Sequence, residues 1–65
     1  MTIDEILKLY PETKAEDWSQ HKAGGWIYKT ASVYGDALVY GNALVYGNAR
    51  VYGNAWVSGN ARVYG

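Results

Sequence analysis

Residues 33–65 read VYGDALVYGNALVYGNARVYGNAWVSGNARVYG, one six-residue phrase repeated with little variation. Val-Tyr-Gly-Asn-Ala-x starts at Val33, Val39, Val45, Val51, Val57 and Val63, and an imperfect copy starts at Ile27. Gly25-Trp26 fit as the tail of a still earlier copy. Self-similarity at a fixed period is the strongest architectural signal a sequence can carry. Within each copy, Ala-x-Val-Tyr alternates small, variable, aliphatic, aromatic. That places Ala and Val on one face of a short strand and x and Tyr on the other. Gly-Asn, or Gly35-Asp36 once, then supplies the bend, because Gly and Asn tolerate positive φ most cheaply.

Two folds can use this pattern. A meander of antiparallel hairpins would treat Gly-Asn as a two-residue turn. It would leave a Val/Ala face with nothing to cover it. In a solenoid each Gly-Asn is a corner, three copies complete a coil, and residue i stacks on i+18 in a parallel ladder. The solenoid encloses the Val/Ala face and is the expected fold.

The phrase resembles the hexapeptide-repeat left-handed parallel β-helices: an aliphatic residue, a small residue, two turn residues, a small residue, then any residue. Val33, Val39, Val45, Val51, Val57 and Val63 match the aliphatic position, and Ala37, Ala43, Ala49, Ala55 and Ala61 the small inward one. Asp36, Asn42, Asn48, Asn54 and Asn60 fall where that family often places a left-handed turn residue. The resemblance covers residues 25–65 and implies a mainly β fold, a left-handed parallel β-helix of about two coils. The hand rests on the resemblance, since it departs from the usual right-handed crossover. One departure is Tyr at the second position, where the family usually has a small residue.

The expected coil has three walls. Wall one stacks Ser32-Val33-Tyr34 under Arg50-Val51-Tyr52. Wall two stacks Leu38-Val39-Tyr40 under Trp56-Val57-Ser58. Wall three stacks Trp26-Ile27-Tyr28, Leu44-Val45-Tyr46 and Arg62-Val63-Tyr64. The outward residues Trp26, Tyr28, Leu38, Tyr40, Leu44, Tyr46, Arg50, Trp56, Arg62 and Tyr64 are therefore the candidate binding or interface set. A monomer exposing them would carry an apolar patch larger than monomers usually tolerate. Tyr and Trp are enriched in buried interface cores. The resembled family mostly forms trimers through its walls, so a homo-oligomer, a trimer first, is expected.

Residues 1–24 form a separate N-terminal segment, expected to be a helical cap. Thr2-Ile3-Asp4-Glu5 matches a capping box, and Ile3, Ile6, Leu7 and Tyr10 recur at helical spacing. Pro11 stops the helix. Thr13-Lys14-Ala15-Glu16 repeats the capping pattern and predicts a second short turn through Asp17 and Trp18. The expected role is a lid on one end of the repeat, with recruitment of another protein as the sharper alternative.

The 65 residues hold seven Tyr, three Trp, no Phe and no Cys, at zero net charge. Without Cys there is no disulfide and no thiolate metal site. Residues 1–24 carry three lysines against five acids; the remainder carries Lys29, Arg50 and Arg62 against Asp36. That balance is far from a nucleic-acid footprint. The acidic start is no signal peptide and nothing approaches a membrane span, so a soluble, cytoplasmic protein is expected.

No catalytic set is visible, and the chain is expected not to be an enzyme and to take no cofactor. Acyltransferases and zinc carbonic anhydrases of the resembled family use histidines presented from the coils, and fold does not carry activity. The one His, His21, precedes the repeat. Three copies of it could meet at zinc only in a trimer; an ordinary packed or solvated His is expected. The glycines follow the period of six and are corners, not a phosphate loop. Two alternatives to a wall-binding oligomer stand. One is a sponge, resembling small phage-encoded proteins, that holds a nucleotide-like molecule between subunits, with Tyr and Trp stacking and Arg50 or Arg62 on phosphate. The other is a scaffold that polymerises through the open strand edge at the C-terminal end of the repeat.

Overall fold

The computed structural model describes residues 2–65. Helix α1 (Ile3–Leu9) begins where expected: Thr2 Oγ1 accepts from the Glu5 N–H at 3.3 Å, and Glu5 Oε1 accepts from the Thr2 N–H at 3.1 Å. It closes on the Tyr10 N–H, which donates to the Ile6 carbonyl at 2.8 Å, one residue before Pro11. Two orphan donors at one end and one acceptor at the other are thereby satisfied.

Eight short strands follow: β1 (Trp18–Gln20), β2 (Trp26–Tyr28), β3 (Ser32–Val33), β4 (Leu38–Val39), β5 (Leu44–Tyr46), β6 (Arg50–Val51), β7 (Trp56–Val57) and β8 (Arg62–Tyr64). The repeat strands pair in parallel: β2 with β5, β5 with β8, β3 with β6, and β4 with β7. Register is i to i+18 throughout, as Trp26 on Leu44, Val33 on Val51, Val39 on Val57 and Tyr46 on Tyr64 show. Three walls thus enclose one core. Ala37, Val39, Ala43, Val45, Ala49, Val51 and Val57 form it, with Ile27, Ala31, Val33 and Val63 half-buried around it. The period of two inside each strand turns these side chains inward; the period of six repeats that turn at every wall.

The corners correct the reading of the turn residues. No residue other than Gly has positive φ among those described; Gly35, Gly41, Gly47, Gly53 and Gly59 have φ between 63° and 73°. Asp36, Asn42, Asn48, Asn54 and Asn60 are not left-handed. The Ala43, Ala49, Ala55 and Ala61 N–H groups donate back to the carbonyls of Tyr40, Tyr46, Tyr52 and Ser58 at 3.2–3.4 Å. Positive φ at the first central residue alone is the pattern of a type II′ turn, which takes Gly there. The order Gly-Asn, not Asn-Gly, carries that information.

The N-terminal segment also departs from expectation. Besides α1 and the expected second turn, a 3-10 turn at Ala15–Asp17, it contains a strand, β1, which pairs antiparallel with β2 and extends wall three. Thr13 does not cap that turn; the Lys14 N–H donates to Asp17 Oδ2 at 3.0 Å instead. Thr13 Oγ1 is committed elsewhere, donating to the Tyr10 carbonyl at 2.7 Å and accepting from Trp18 Nε1 at 3.0 Å. The segment is not a plug on the end of the coil. Ile6, Trp18 and Leu44 form a second buried cluster, flanked by Ile3, Leu7, Tyr10, Trp26, Tyr28 and Tyr46. The apolar stripe of α1 therefore covers the outer face of wall three.

Candidate binding surfaces

That docking divides the ten outward residues into covered and bare. Leu44 is fully buried beneath the cap, and Trp26, Tyr28 and Tyr46 pack half-buried against the same cluster. The expectation of one bare apolar patch across walls two and three is thus corrected: the chain covers most of wall three itself. On wall two, Trp56 is 70% exposed and stacks in register on Leu38, which, like Tyr40, is half-buried. Arg50 and Arg62 are exposed. Tyr64 is exposed at the far end of wall three, its ring stacked on Tyr46 with centroids 5.3 Å apart. On wall one, Tyr34 and Tyr52 are both exposed and stack at 5.4 Å with their planes 11° apart. This pair follows from the i+18 register, which lays identical positions over one another.

A second feature lies where the cap meets wall three. Tyr10, Trp18, Tyr28 and Tyr46 line a solvent-open cavity of about 190 Å³, with Glu12, Thr13 and Gly47 completing its lining. Tyr10 lies 5.8 Å from Trp18 and 5.3 Å from Tyr46, and Trp18 meets Tyr28 edge-on at 5.0 Å, centroid to centroid. The Tyr46 phenol is held above its ordinary range, first by its hydrogen bond with Tyr10 and then by burial. Sequence reasoning treated Tyr10 and Trp18 as the apolar stripe of a lid. Nothing in their spacing announces that they converge on Tyr28 and Tyr46, because that meeting depends on which wall the lid covers. Close by, Lys29 Nζ lies 3.2 Å from Asp17 Oδ1 and 6.0 Å from the centroid of the Tyr28 ring. Asp17 is lowered below its ordinary range, first by the Lys14 N–H and also by Lys29, and Lys29 is raised by Asp17.

The end of the coil at β2 and β3 is open. Ile27, Ala31 and Val33 line a recess there together with Ser19, Lys29 and Tyr34. His21, the candidate for a shared zinc site, is half-buried, and its Nδ1 accepts from the Ala23 N–H at 3.1 Å. No group of three or more His, Cys, Asp or Glu among the described residues could hold a metal ion. No helix among them is long and apolar enough to cross a membrane.

The family model of the YdcK β-solenoid repeat matches residues 31–47 and 43–59. The match supports a β-solenoid fold for the repeat. The two matches overlap and together take in β3 to β7. No curated protein and no solved structure gives a significant match to the chain.

Proposed function

We infer that this β-solenoid protein is a non-enzymatic binding module that associates with copies of itself through the walls its own cap leaves bare. The observation that carries the reading is Trp56, 70% exposed in the ladder with Leu38 on wall two. A large aromatic ring beside an aliphatic side chain, outside the cap's reach, suits the desolvated centre of an interface. The cap removes wall three from that role and concentrates it on wall two, with the Tyr34–Tyr52 stack on the adjoining wall as its flank. A closed cyclic arrangement satisfies one such wall per copy. The hexapeptide resemblance supports three copies, a left-handed coil and two turns of it. The absence of Cys and the single His of the sequence support a role without catalysis.

Light scattering on wild type and Trp56→Glu tests the reading. The expected result is a trimer mass for wild type and a monomer mass for the variant, with unchanged circular dichroism, because an unpaired carboxylate resists burial at an interface. A wild-type chain that stays monomeric and folded at micromolar concentration overturns it. A nucleotide retained in native mass spectrometry favours the sequestration reading instead. Exposed Arg50 and Arg62, each two residues before an exposed Tyr on the same outer face, support that alternative.

A further inference from the structure

The aromatic cavity between cap and wall has a chemistry independent of any association. Its four rings come from three elements: Tyr10 from the end of α1, Trp18 from β1, and Tyr28 and Tyr46 from adjacent strands of wall three. The indole N–H and the threonine hydroxyl of its lining are already bonded within the chain. Trp18 Nε1 donates to Thr13 Oγ1, and the Thr13 hydroxyl donates to the Tyr10 carbonyl. Lys29, the nearest ammonium, is paired with Asp17 and does not line the cavity. An anion would meet the Glu12 carboxylate, and a sugar would find only phenol hydroxyls to bond. What the walls offer is π surface, and the one charged side chain among them is the carboxylate of Glu12.

We propose that this cavity binds a small quaternary ammonium of the choline type. Ring faces attract a cation through their quadrupole, and a methylated cation, which has no N–H to satisfy, loses least on leaving water. A primary ammonium would give up three hydrogen bonds to water, and the Glu12 carboxylate is the one strong acceptor among the lining side chains to replace them. Glu12 adds a Coulomb attraction at the lining and sets the identity of the tail. A phosphate or carboxylate on the same small molecule would stand against it, so the tail is neutral.

The test is calorimetry and proton NMR on the full chain with three probes. Choline is compared with 3,3-dimethyl-1-butanol, its uncharged isostere, and with phosphocholine. Choline should bind saturably, its N-methyl protons shifted upfield by the rings. It should bind about tenfold or more tightly than the isostere, the order of a desolvated cation–π contact. Phosphocholine should bind more weakly than choline. Glu12→Gln changes an exposed side chain, leaves the fold intact and should weaken choline roughly two- to fivefold. Equal affinity for choline and the isostere overturns the proposal, as does the absence of saturation. Tighter binding of phosphocholine, or an unchanged affinity in Glu12→Gln, overturns the assignment of Glu12 and the neutral tail with it.

Discussion

Replacing Gly53 by Ala and Gly35 by Ala separates two demands that the corners make. Both residues have positive φ, 68° and 73°. A Cβ on Gly53 would meet nothing within 4 Å, so Gly53→Ala probes backbone conformation alone. A Cβ on Gly35 would lie 3.1 Å from the Gly53 nitrogen, so Gly35→Ala adds a collision with the backbone stacked on it. Holding an L-residue in a sparse φ region costs about 1–3 kcal/mol. The stiffer unfolded chain returns about 0.4–1 kcal/mol. Gly53→Ala should therefore lose about 1–2 kcal/mol, a fall in melting temperature of about 5–15 °C for a domain this small. Gly35→Ala should lose about 1 kcal/mol or more beyond that, as overpacking against a fixed backbone does. Asn54→Ala, at an exposed residue without positive φ, should stay within about 0.5 kcal/mol. Thermal and urea unfolding followed by circular dichroism measure all three. Should Asn54→Ala cost as much as Gly53→Ala, or Gly35→Ala no more than Gly53→Ala, the account of the corners is wrong.

Leu44→Ala should destabilise by about 2–5 kcal/mol and move tryptophan emission to the red as the cap loosens, whereas Leu38→Ala, only half-buried, should cost about 1 kcal/mol or less; equal losses would show that the cap does not bear on Leu44. Asp17 and Glu5 are both held below their ordinary values, Asp17 first by the Lys14 N–H and Glu5 first by the Thr2 N–H. A depressed folded-state pKa contributes stability that is present above the unfolded value and lost as pH falls through the folded one. Melting temperature should accordingly decline as pH drops below about 4, and the double variant Glu5→Gln/Asp17→Asn should flatten that decline; an acid limb as steep as that of wild type counts against these bonds.

Much of the solenoid was legible because its signals are local and periodic. Val39 and Val45 are buried for the reason the pattern states: every sixth residue is aliphatic and turns inward. The i+18 register follows from three such phrases per coil. Leu44 was misplaced because outward positions carry no label for which of them the cap will cover. Leu38 and Leu44 occupy the same place in the phrase, yet Leu44 is sealed and Leu38 is half-open. The difference is set by β1, three residues long, whose pairing with β2 steers α1 over wall three. Trp18-Ser19-Gln20 is too short to announce a strand. The aromatic cavity was invisible for the same reason, since Tyr10 and Trp18 meet Tyr28 and Tyr46 only through that docking. Thr13 looked like a cap by its spacing to Glu16, but its hydroxyl is taken by Trp18 Nε1 and the Tyr10 carbonyl.

The uniform interior and the particular exterior obey different arithmetic. Any six-residue phrase could be cut from the repeat and the inside would read the same, Val on Val and Ala on Ala. The outside would not. Removing residues 31–36 from the chain would place Arg50 and Tyr52, instead of Leu44 and Tyr46, over Trp26 and Tyr28 in the i+18 ladder. A guanidinium would then face Ile6 and Trp18. A cut of two phrases would bring Trp56 there, and the loss of a whole coil, residues 31–48, would bring Arg62, so no cut of whole phrases from residue 31 keeps a leucine beneath Ile6 and Trp18 while the core stays indifferent. The N-terminal segment thus acts as an index mark on an otherwise phase-free repeat. It gives a ladder of interchangeable rungs one setting in which every outward side chain has a fixed address.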